Sequence, residues 1–160
     1  MHDAQQIHDK PDARAVAARQ ELMAICAQAS EAELTAALDA LEPPPEAIDI
    51  RPAEIGLVML RGRVGGSGAP FNVGEATVTR AAVRLSTGET GFSYLLGRSK
   101  TRARLAAILE AAGQRPAYRR SIVQHLVLPV GERVESERRV AREEAEATRV
   151  EFFTLVRGED

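Results

Sequence analysis

Residues 64–85 read VGGSGAPFNVGEATVTRAAVRL, and the order of the two halves of this stretch decides the class of fold. The first half is rich in glycine, and the second half has the alternation of a β-strand. A phosphate-binding P-loop would need a Lys-Ser/Thr pair after the glycines, and none follows. A dinucleotide-binding turn would need a helix there, so that its N-terminus meets the pyrophosphate. The stretch therefore favours a flexible or tightly turned connection between two strands. A backbone nest that binds an anion is the open alternative.

The segments around this connection predict a small antiparallel sheet in the middle of the chain. In the stretch IGLVMLRGRV, both faces of the predicted strand are apolar from Ile55 to Leu60, which predicts a strand covered on both sides. The stretch GFSYLLG, residues 91–97, predicts a further strand. It is joined to the strand before it by STGET, a short glycine-containing hairpin signal. Together these segments predict a meander of three or four strands.

Helices are predicted on the N-terminal side of the sheet. Residues 12–30 have helical composition, and Ser30 followed by Glu33 matches a capping box that begins a second helix. The prolines of EPPPE, residues 42–46, end that helix. Residues 1–11 are polar and are predicted to form a flexible tail.

Further helices are predicted after the sheet. Ser99 is a candidate N-cap, Gly113 a candidate stop, and Pro116 a candidate start of the next helix. Residues 132–149 are predicted to form a charged helix with a thin apolar stripe. Contact with a partner would stabilise this helix.

The last segment, RVEFFTLVRGED, is aromatic and β-branched, which favours a closing strand of the sheet or an arm docked on another subunit. The predicted fold class is thus α+β, with residues 12–160 forming one domain whose C-terminal helical or arm region docks on partner subunits. The candidate interface residues are Phe152, Phe153, Leu155 and Val156.

The composition excludes several classes of function. The net charge of the 160 residues is -2, which gives no field that attracts nucleic acid or a membrane surface. No run of about 18 apolar residues and no signal peptide is present, so a cytoplasmic protein is expected. The single cysteine, Cys26, lies in an apolar helical stretch and is predicted to be a buried, inert thiol. No metal site is expected, because no metal-ligand spacing occurs.

Two groups of basic residues are the candidate substrate- or anion-binding residues. Arg80 and Arg84 lie on one face of a strand, about 13 Å apart, which suits two separate ion pairs or two ends of an extended anion. The second group is at the start of a helix, where cations oppose the macrodipole unless an anion binds to the free N–H groups. A solvated face is the alternative for this second group, which consists of Arg98, Lys100, Arg102 and Arg104. No nucleophile–base unit accompanies either group, and His125 is predicted to be packed or to face a partner.

The sequence resembles the PhnG family, the G subunits of the bacterial carbon–phosphorus lyase core complex. The resemblance rests on three stretches: GLVMLRGRVGGSGAPFNVGEATVTRAAVRL, GFSYLLGRSK and ATRVEFFTLVRGED. The family pattern is approximately G-G-[ST]-G-x-x-F-x-x-G-[ED]-A-T-[LV]-T-R-A-A-V-R-L, and residues 65–85 fill it without a gap. The likeness extends from about residue 19 to residue 158.

The resemblance implies a role in the catabolism of organic phosphonates. In that family the G subunit works with the H and I subunits, assisted by the L protein, to displace adenine from ATP by a phosphonate such as methylphosphonate. The implied product is α-D-ribose 1-methylphosphonate 5-triphosphate, a transferase reaction. The implied partners are the H, I and J subunits, with the L and K proteins associated. No cofactor is implied for this chain: ATP is the substrate of the complex, and the iron–sulfur cluster and S-adenosylmethionine belong to the J subunit.

The resemblance supplies no catalytic residue for this chain, so catalytic residues remain unassigned. An alternative function is a stand-alone anion- or nucleotide-binding module that uses the basic strand and the basic helix start. The two hypotheses differ in whether the isolated chain binds ATP without partners.

Overall fold

The computed structural model describes residues 12–63 and 68–147, and it has the α+β architecture that the sequence predicts. Two helices precede a three-stranded sheet, and three helices with a π-helical turn follow it. The elements are α1 (Ala13–Gln28), α2 (Glu31–Asp39), β1 (Ala47–Arg63), β2 (Pro70–Leu85), β3 (Thr90–Leu96), α3 (Lys100–Gly113), α4 (Pro116–Ile122), the π-helical turn (Val123–Val127) and α5 (Leu128–Ala147). The predicted closing strand falls outside the described residues.

The sheet is an antiparallel meander in the order β1-β2-β3, as predicted. The pairing of β1 with β2 runs from Ala47 opposite Leu85 to Arg63 opposite Pro70. The pairing of β3 with β2 is much shorter and stops at Val78 opposite Leu96. β1 and β2 therefore continue beyond β3 as a two-stranded ribbon, residues 57–63 with residues 70–77, which we call the arm.

Helix α3 occupies the centre of the molecule and is buried on nearly every side. It packs on one face of β2 and β3 and also contacts α1, α2 and α4. A helix that is apolar around most of its circumference has to be enclosed in this way. Its buried residues are Ala103, Ala106, Ala107, Ile108, Leu109, Glu110, Ala111 and Ala112.

The helix starts predicted from the sequence are confirmed by their hydrogen bonds. The Ser30 hydroxyl accepts from the Glu33 amide, and the Glu33 carboxylate accepts from the Ser30 amide at 2.7 Å, which completes the capping box. The Ser99 hydroxyl accepts from the Arg102 amide at 3.1 Å and begins α3. Pro116 is the first residue of α4.

The prediction that β1 is covered on both sides is wrong for the described chain. Leu57 is 63% exposed and Met59 is 58% exposed, because α3 and the other described helices do not cover the sheet beyond the end of β3. An apolar run predicts that a strand is covered, but it does not say whether the cover belongs to the same chain.

The end of α1 is capped by arginines from distant parts of the chain. Arg102 donates to the carbonyls of Ala27 and Ala29, the latter from Nε at 2.7 Å. Arg133 donates to the Gln28 carbonyl at 2.8 Å. α1 has no basic residue of its own in its last turn, so these side chains satisfy carbonyls that have no partner within the helix.

The ion pair between Glu33 and Arg133 predicts a pH-dependent contribution to stability. Arg133 donates to both carboxylate oxygens of Glu33, at 2.8 and 3.1 Å. These hydrogen bonds are the main reason that the pKa of Glu33 falls from 4.5 to about 2 in the folded chain. A carboxyl group whose pKa is lowered by folding stabilises the fold above its unfolded pKa, and that stabilisation is lost as the pH falls through the folded pKa.

We therefore expect Glu33→Gln to be less stable than the wild type at pH 7, with the difference shrinking between about pH 4.5 and pH 2. Urea unfolding at pH 7 and pH 3 measures this difference. The matched control is Glu132→Gln, which replaces an exposed carboxylate on α5. A difference between Glu33→Gln and the wild type that is the same at both pH values would contradict the prediction.

Candidate functional site

The strand β2 divides its side chains between the core and an outer face of the sheet. Ala81, Val83 and Leu85 belong to the core that contains α3. Arg80 and Arg84 alternate with them and therefore lie on the outer face; that they share one face of the strand is what the sequence predicts. The residues paired with these arginines share that face, so it also carries Glu54 and Ile48 of β1 and Tyr94 and Thr90 of β3.

Arg80 already has an anionic partner within the chain. Its Nε lies 2.7 Å from Glu54 Oε1, and Arg51 approaches the same oxygen at 3.4 Å. The Arg80 side chain is 49% exposed, so this pair adds little to stability but holds the guanidinium next to Glu54. Of the two roles that the sequence left open for Arg80, the ion pair is present.

Arg84 differs from Arg80, because no hydrogen bond or ion pair engages its exposed side chain among the described residues. It lies between Ile48 on one neighbouring strand and Thr90 on the other. Arg84 is therefore the cation of the outer face that remains available to an external anion or to an acidic partner.

The basic residues at the start of α3 are separated by the fold. Arg98 and Lys100 are exposed, and neither forms a hydrogen bond or ion pair within the part of the chain that the structure describes. Arg102 binds the carbonyl end of α1, as described above, and its charge is favourable there. Arg104 donates to Asp49 Oδ1 at 2.8 Å and so ties α3 to β1.

The two basic groups do not converge on one site. Arg80 and Arg84 lie on the outer face of the sheet, whereas α3 packs on the opposite face. The sheet therefore stands between these arginines and Lys100. The unengaged cations Arg84 and Lys100 therefore lie on opposite sides of the sheet and do not form a clamp for a single phosphate.

The candidates for nucleophilic, acid–base or metal chemistry are also separate. Cys26 is buried, and burial raises the pKa of its thiol to about 12, which keeps it protonated and unreactive. His125 is exposed on the π-helical turn. Across residues 12–63 and 68–147, no three His, Cys, Asp or Glu side chains are grouped in a way that could hold a metal ion.

The helices within these ranges include none long and apolar enough to cross a bilayer.

A groove of about 600 Å³ lies between α1, α3, α4 and the π-helical turn. Its walls include Val16, Leu22 and Val127. Arg19 and Glu110 also line it, but Arg19 Nε donates to Glu110 Oε1 at 2.6 Å, so these groups satisfy each other. The groove is therefore mainly apolar, and Arg119 is the lining cation that no ion pair or hydrogen bond engages among the described residues, so the groove does not present a cluster of free cations for a triphosphate.

The exposure of the arm is the feature that the sequence does not predict. Its apolar pattern predicts a covered strand and gives no separate signal of an interface. The candidate interface residues Phe152, Phe153, Leu155 and Val156 lie outside the described residues, so their contact with a partner stays a prediction. Among the described residues, large exposed apolar side chains lie on the arm (Leu57, Met59, Leu60, Phe71 and Val73), next to it on β1 (Ile55), and on the outer face of the sheet (Ile48, Phe92, Tyr94 and Leu96).

An α+β chain with scattered cations and a large apolar arm that no described element covers belongs to the class of proteins that work in an assembly. Comparison with known proteins agrees with this class. The chain matches the family described as "Phosphonate metabolism protein PhnG" over residues 17–158. It therefore belongs to the PhnG family.

A curated relative extends this result. The chain is 54% identical over 149 residues to the alpha-D-ribose 1-methylphosphonate 5-triphosphate synthase subunit PhnG of Rhizobium meliloti (strain 1021). The match covers 93% of this chain and 95% of the relative. The match thus spans almost the whole length of both proteins.

Proposed function

We propose that this chain is the G-type subunit of an α-D-ribose 1-methylphosphonate 5-triphosphate synthase in the catabolism of organic phosphonates. The observation that carries the proposal is the 54% identity to a named subunit of that synthase over almost the whole of both chains. The exposed arm supports a role within a complex, because it presents a large apolar surface that residues 12–63 and 68–147 leave uncovered.

The proposed reaction is a transfer in which a phosphonate oxygen attacks C1′ of ATP and adenine leaves. The proposed partners are the H, I and J subunits, with the L and K proteins associated, in the cytoplasm. ATP is the substrate of the complex, and the iron–sulfur cluster and S-adenosylmethionine belong to the J subunit. The only cysteine of this chain is buried, and its described residues hold no metal-binding cluster, so they do not fit an iron–sulfur centre.

In this proposal the chain contributes structure and charge rather than a nucleophile. Arg84, Arg98 and Lys100 are the candidate substrate contacts that remain unengaged among the described residues. Arg80 and Arg102 are held by Glu54 and by the end of α1, so their contact with substrate would require these partners to be shared or replaced.

Reconstitution of the complex tests the proposal. We expect adenine release from ATP with methylphosphonate to require this chain together with the H, I and L proteins, and to fall at least tenfold when the chain is omitted. Chromatography measures adenine, and ³¹P nuclear magnetic resonance identifies the phosphonate ester. Undiminished release without the chain, or a wild-type chain that ignores all the other subunits, would contradict the proposed function.

The same assay examines the candidate cations. We expect Arg84→Glu or Arg98→Glu to raise the KM for ATP while the complex still forms. Arg14→Glu, on the exposed start of α1, is the matched charge reversal and should leave the KM unchanged. If Arg84→Glu and Arg98→Glu prevent assembly instead, these residues belong to an interface.

A further inference from the structure

The arm is apolar on both of its faces. Leu57 pairs with Thr77 and Met59 with Glu75, and these residues share a side with Ile55. This side continues the face of the sheet that carries the core, because Ile55 pairs with the buried Thr79.

The opposite side of the arm carries a second apolar group. Leu60 and Gly62 lie two residues apart on β1 and share this side. Gly62 pairs with Phe71, and a Cβ on Gly62 would stand only 2.6 Å from Val73 Cγ2, which places Val73 there as well. Leu60, Phe71 and Val73 are all exposed, at 46%, 47% and 61%.

A two-stranded ribbon with this composition is not a stable arrangement in water. An isolated pair of strands is marginal, and stable sheets need either further strands or a packed layer on an apolar face. Here neither side of the arm is packed against another described element. Cover for both sides has to come from outside the described chain.

The charges of the arm restrict what can cover it. Its described ionisable side chains are Arg61, Arg63 and Glu75, and the structure gives none of them an ion pair among the described residues. Two cations therefore stand near the tip, where β1 ends at Arg63. A complementary surface is apolar along the ribbon and acidic near its tip.

We propose that the arm inserts into an apolar cleft of another subunit of the synthase, with acidic residues of that subunit near Arg61 and Arg63. This inference rests on the proposed function and deepens it by assigning the docking surface. A cleft is required rather than a flat surface, because both sides of the ribbon are apolar. The cleft encloses Leu57 and Met59 on one side and Leu60, Phe71 and Val73 on the other.

Two other occupants fit the observations less well. A second copy of the chain offers, in the part that the structure describes, a groove of about 600 Å³ between α1, α3, α4 and the π-helical turn, which is the size of a small-ligand site and too small for a ribbon with five large apolar side chains. The other is residues 148–160 of this chain, a single stretch of 13 residues set against two apolar sides of the arm.

The test compares two face variants in the reconstituted complex. Leu57→Ser/Met59→Ser alters one side of the arm, and Leu60→Ser/Phe71→Ser alters the other. Because these side chains are exposed in the chain itself, both variants are expected to keep the wild-type melting temperature within a few degrees. We expect each variant to weaken binding to the other subunits at least tenfold in Kd, measured by biolayer interferometry. The matched control, Val16→Ser/Leu128→Ser, replaces exposed apolar residues of α1 and α5 and should change the Kd less than twofold.

The charge near the tip gives an independent readout. We expect Arg61→Glu/Arg63→Glu to weaken assembly at low salt, and the wild-type affinity to fall as salt rises. In hydrogen exchange, residues 57–60 and 71–77 should gain protection when the complex forms.

The outcomes that overturn the inference are distinct from failure of the proposed function. If the wild type assembles and both face variants assemble equally well, the arm is not the docking surface. If only one face matters, the arm lies on a flat surface and the cleft is wrong. Loss of a homodimer in a face variant assigns the arm to a second copy, and deprotection of the arm after removal of residues 148–160 assigns it to that segment. If the wild type binds no other subunit, the proposed function fails and this inference fails with it.

Discussion

Gly91→Ala is expected to lower the free energy of unfolding by at least about 3 kcal/mol, or to prevent the accumulation of soluble chain. Gly91 lies on β3 where the strand packs against α3. A Cβ at this position would stand 2.0 Å from the Ala107 carbonyl oxygen and 2.7 Å from the Ala111 amide nitrogen. Both atoms belong to the helix backbone, so no side-chain rotation relieves the overlap. The helix would have to move away from the sheet.

Urea denaturation of the purified chain, together with the yield of soluble protein, measures the effect of Gly91→Ala. Gly74→Ala is the matched control, because a Cβ at Gly74 meets no atom within 4 Å. We expect Gly74→Ala to be neutral or slightly stabilising. If Gly91→Ala unfolds within about 1 kcal/mol of the wild type, the close approach of α3 to β3 is wrong.

Glu110→Ala is the second substitution with a large expected effect, a loss of about 3 kcal/mol. Glu110 lies on α3 and its side chain is 1% exposed. It accepts from Arg19 Nε of α1 at 2.6 Å and from the Phe92 amide of β3 at 3.0 Å. Alanine would leave a buried cavity and an amide without its acceptor. One carboxylate therefore joins the first helix, the central helix and the edge of the sheet.

A double-mutant cycle isolates the ionic part of the Glu110 contribution. We expect Glu110→Ala and Arg19→Ala to be non-additive, because they remove the same ion pair. Glu110→Gln retains an acceptor for the Phe92 amide and should lose less than Glu110→Ala. Glu132→Ala, an exposed position on α5, is the matched control and should stay within about 0.5 kcal/mol of the wild type. Additive losses in the cycle would show that the two side chains act independently.

Much of the fold could be predicted from the sequence because its signals are local. Ser30 with Glu33, Ser99 and Pro116 mark helix starts through hydrogen bonds or backbone geometry within a few residues. Gly88, with a φ of 107°, lies in the hairpin between β2 and β3 that STGET predicts. The α+β class follows from the order of these local elements.

The candidate site could be predicted less well. It depends on the direction in which each side chain points and on its distance from residues that are far away in the sequence. The basic residues at 100, 102 and 104 are close in sequence, but alternate helix positions point about 200° apart around the axis. Arg102 therefore reaches the end of α1 while Arg104 reaches Asp49 of β1. The ion pair of Arg80 with Glu54 likewise depends on the register of β1 against β2, which irregularities at residues 49–54 shift.

The sequence fails to predict the exposure of the arm for a different reason. The apolar run from Ile55 to Leu60 predicts burial on both sides, and that prediction is wrong for the described chain. An apolar composition indicates that a segment is buried in the state in which the protein works. In a subunit of an assembly, other chains bury part of that apolar surface. A single sequence does not distinguish the two sources of cover.

The arginine caps at the end of α1 have a consequence for the order in which the molecule forms. The carbonyls of residues 27–29 receive their partners from Arg102 and Arg133, which lie more than 70 positions later in the chain. During synthesis, the first helix is therefore completed only after most of the polypeptide has been made. The N-terminal helix of this protein should mature late, together with α3 and α5, and fragments that end before residue 133 should leave it frayed.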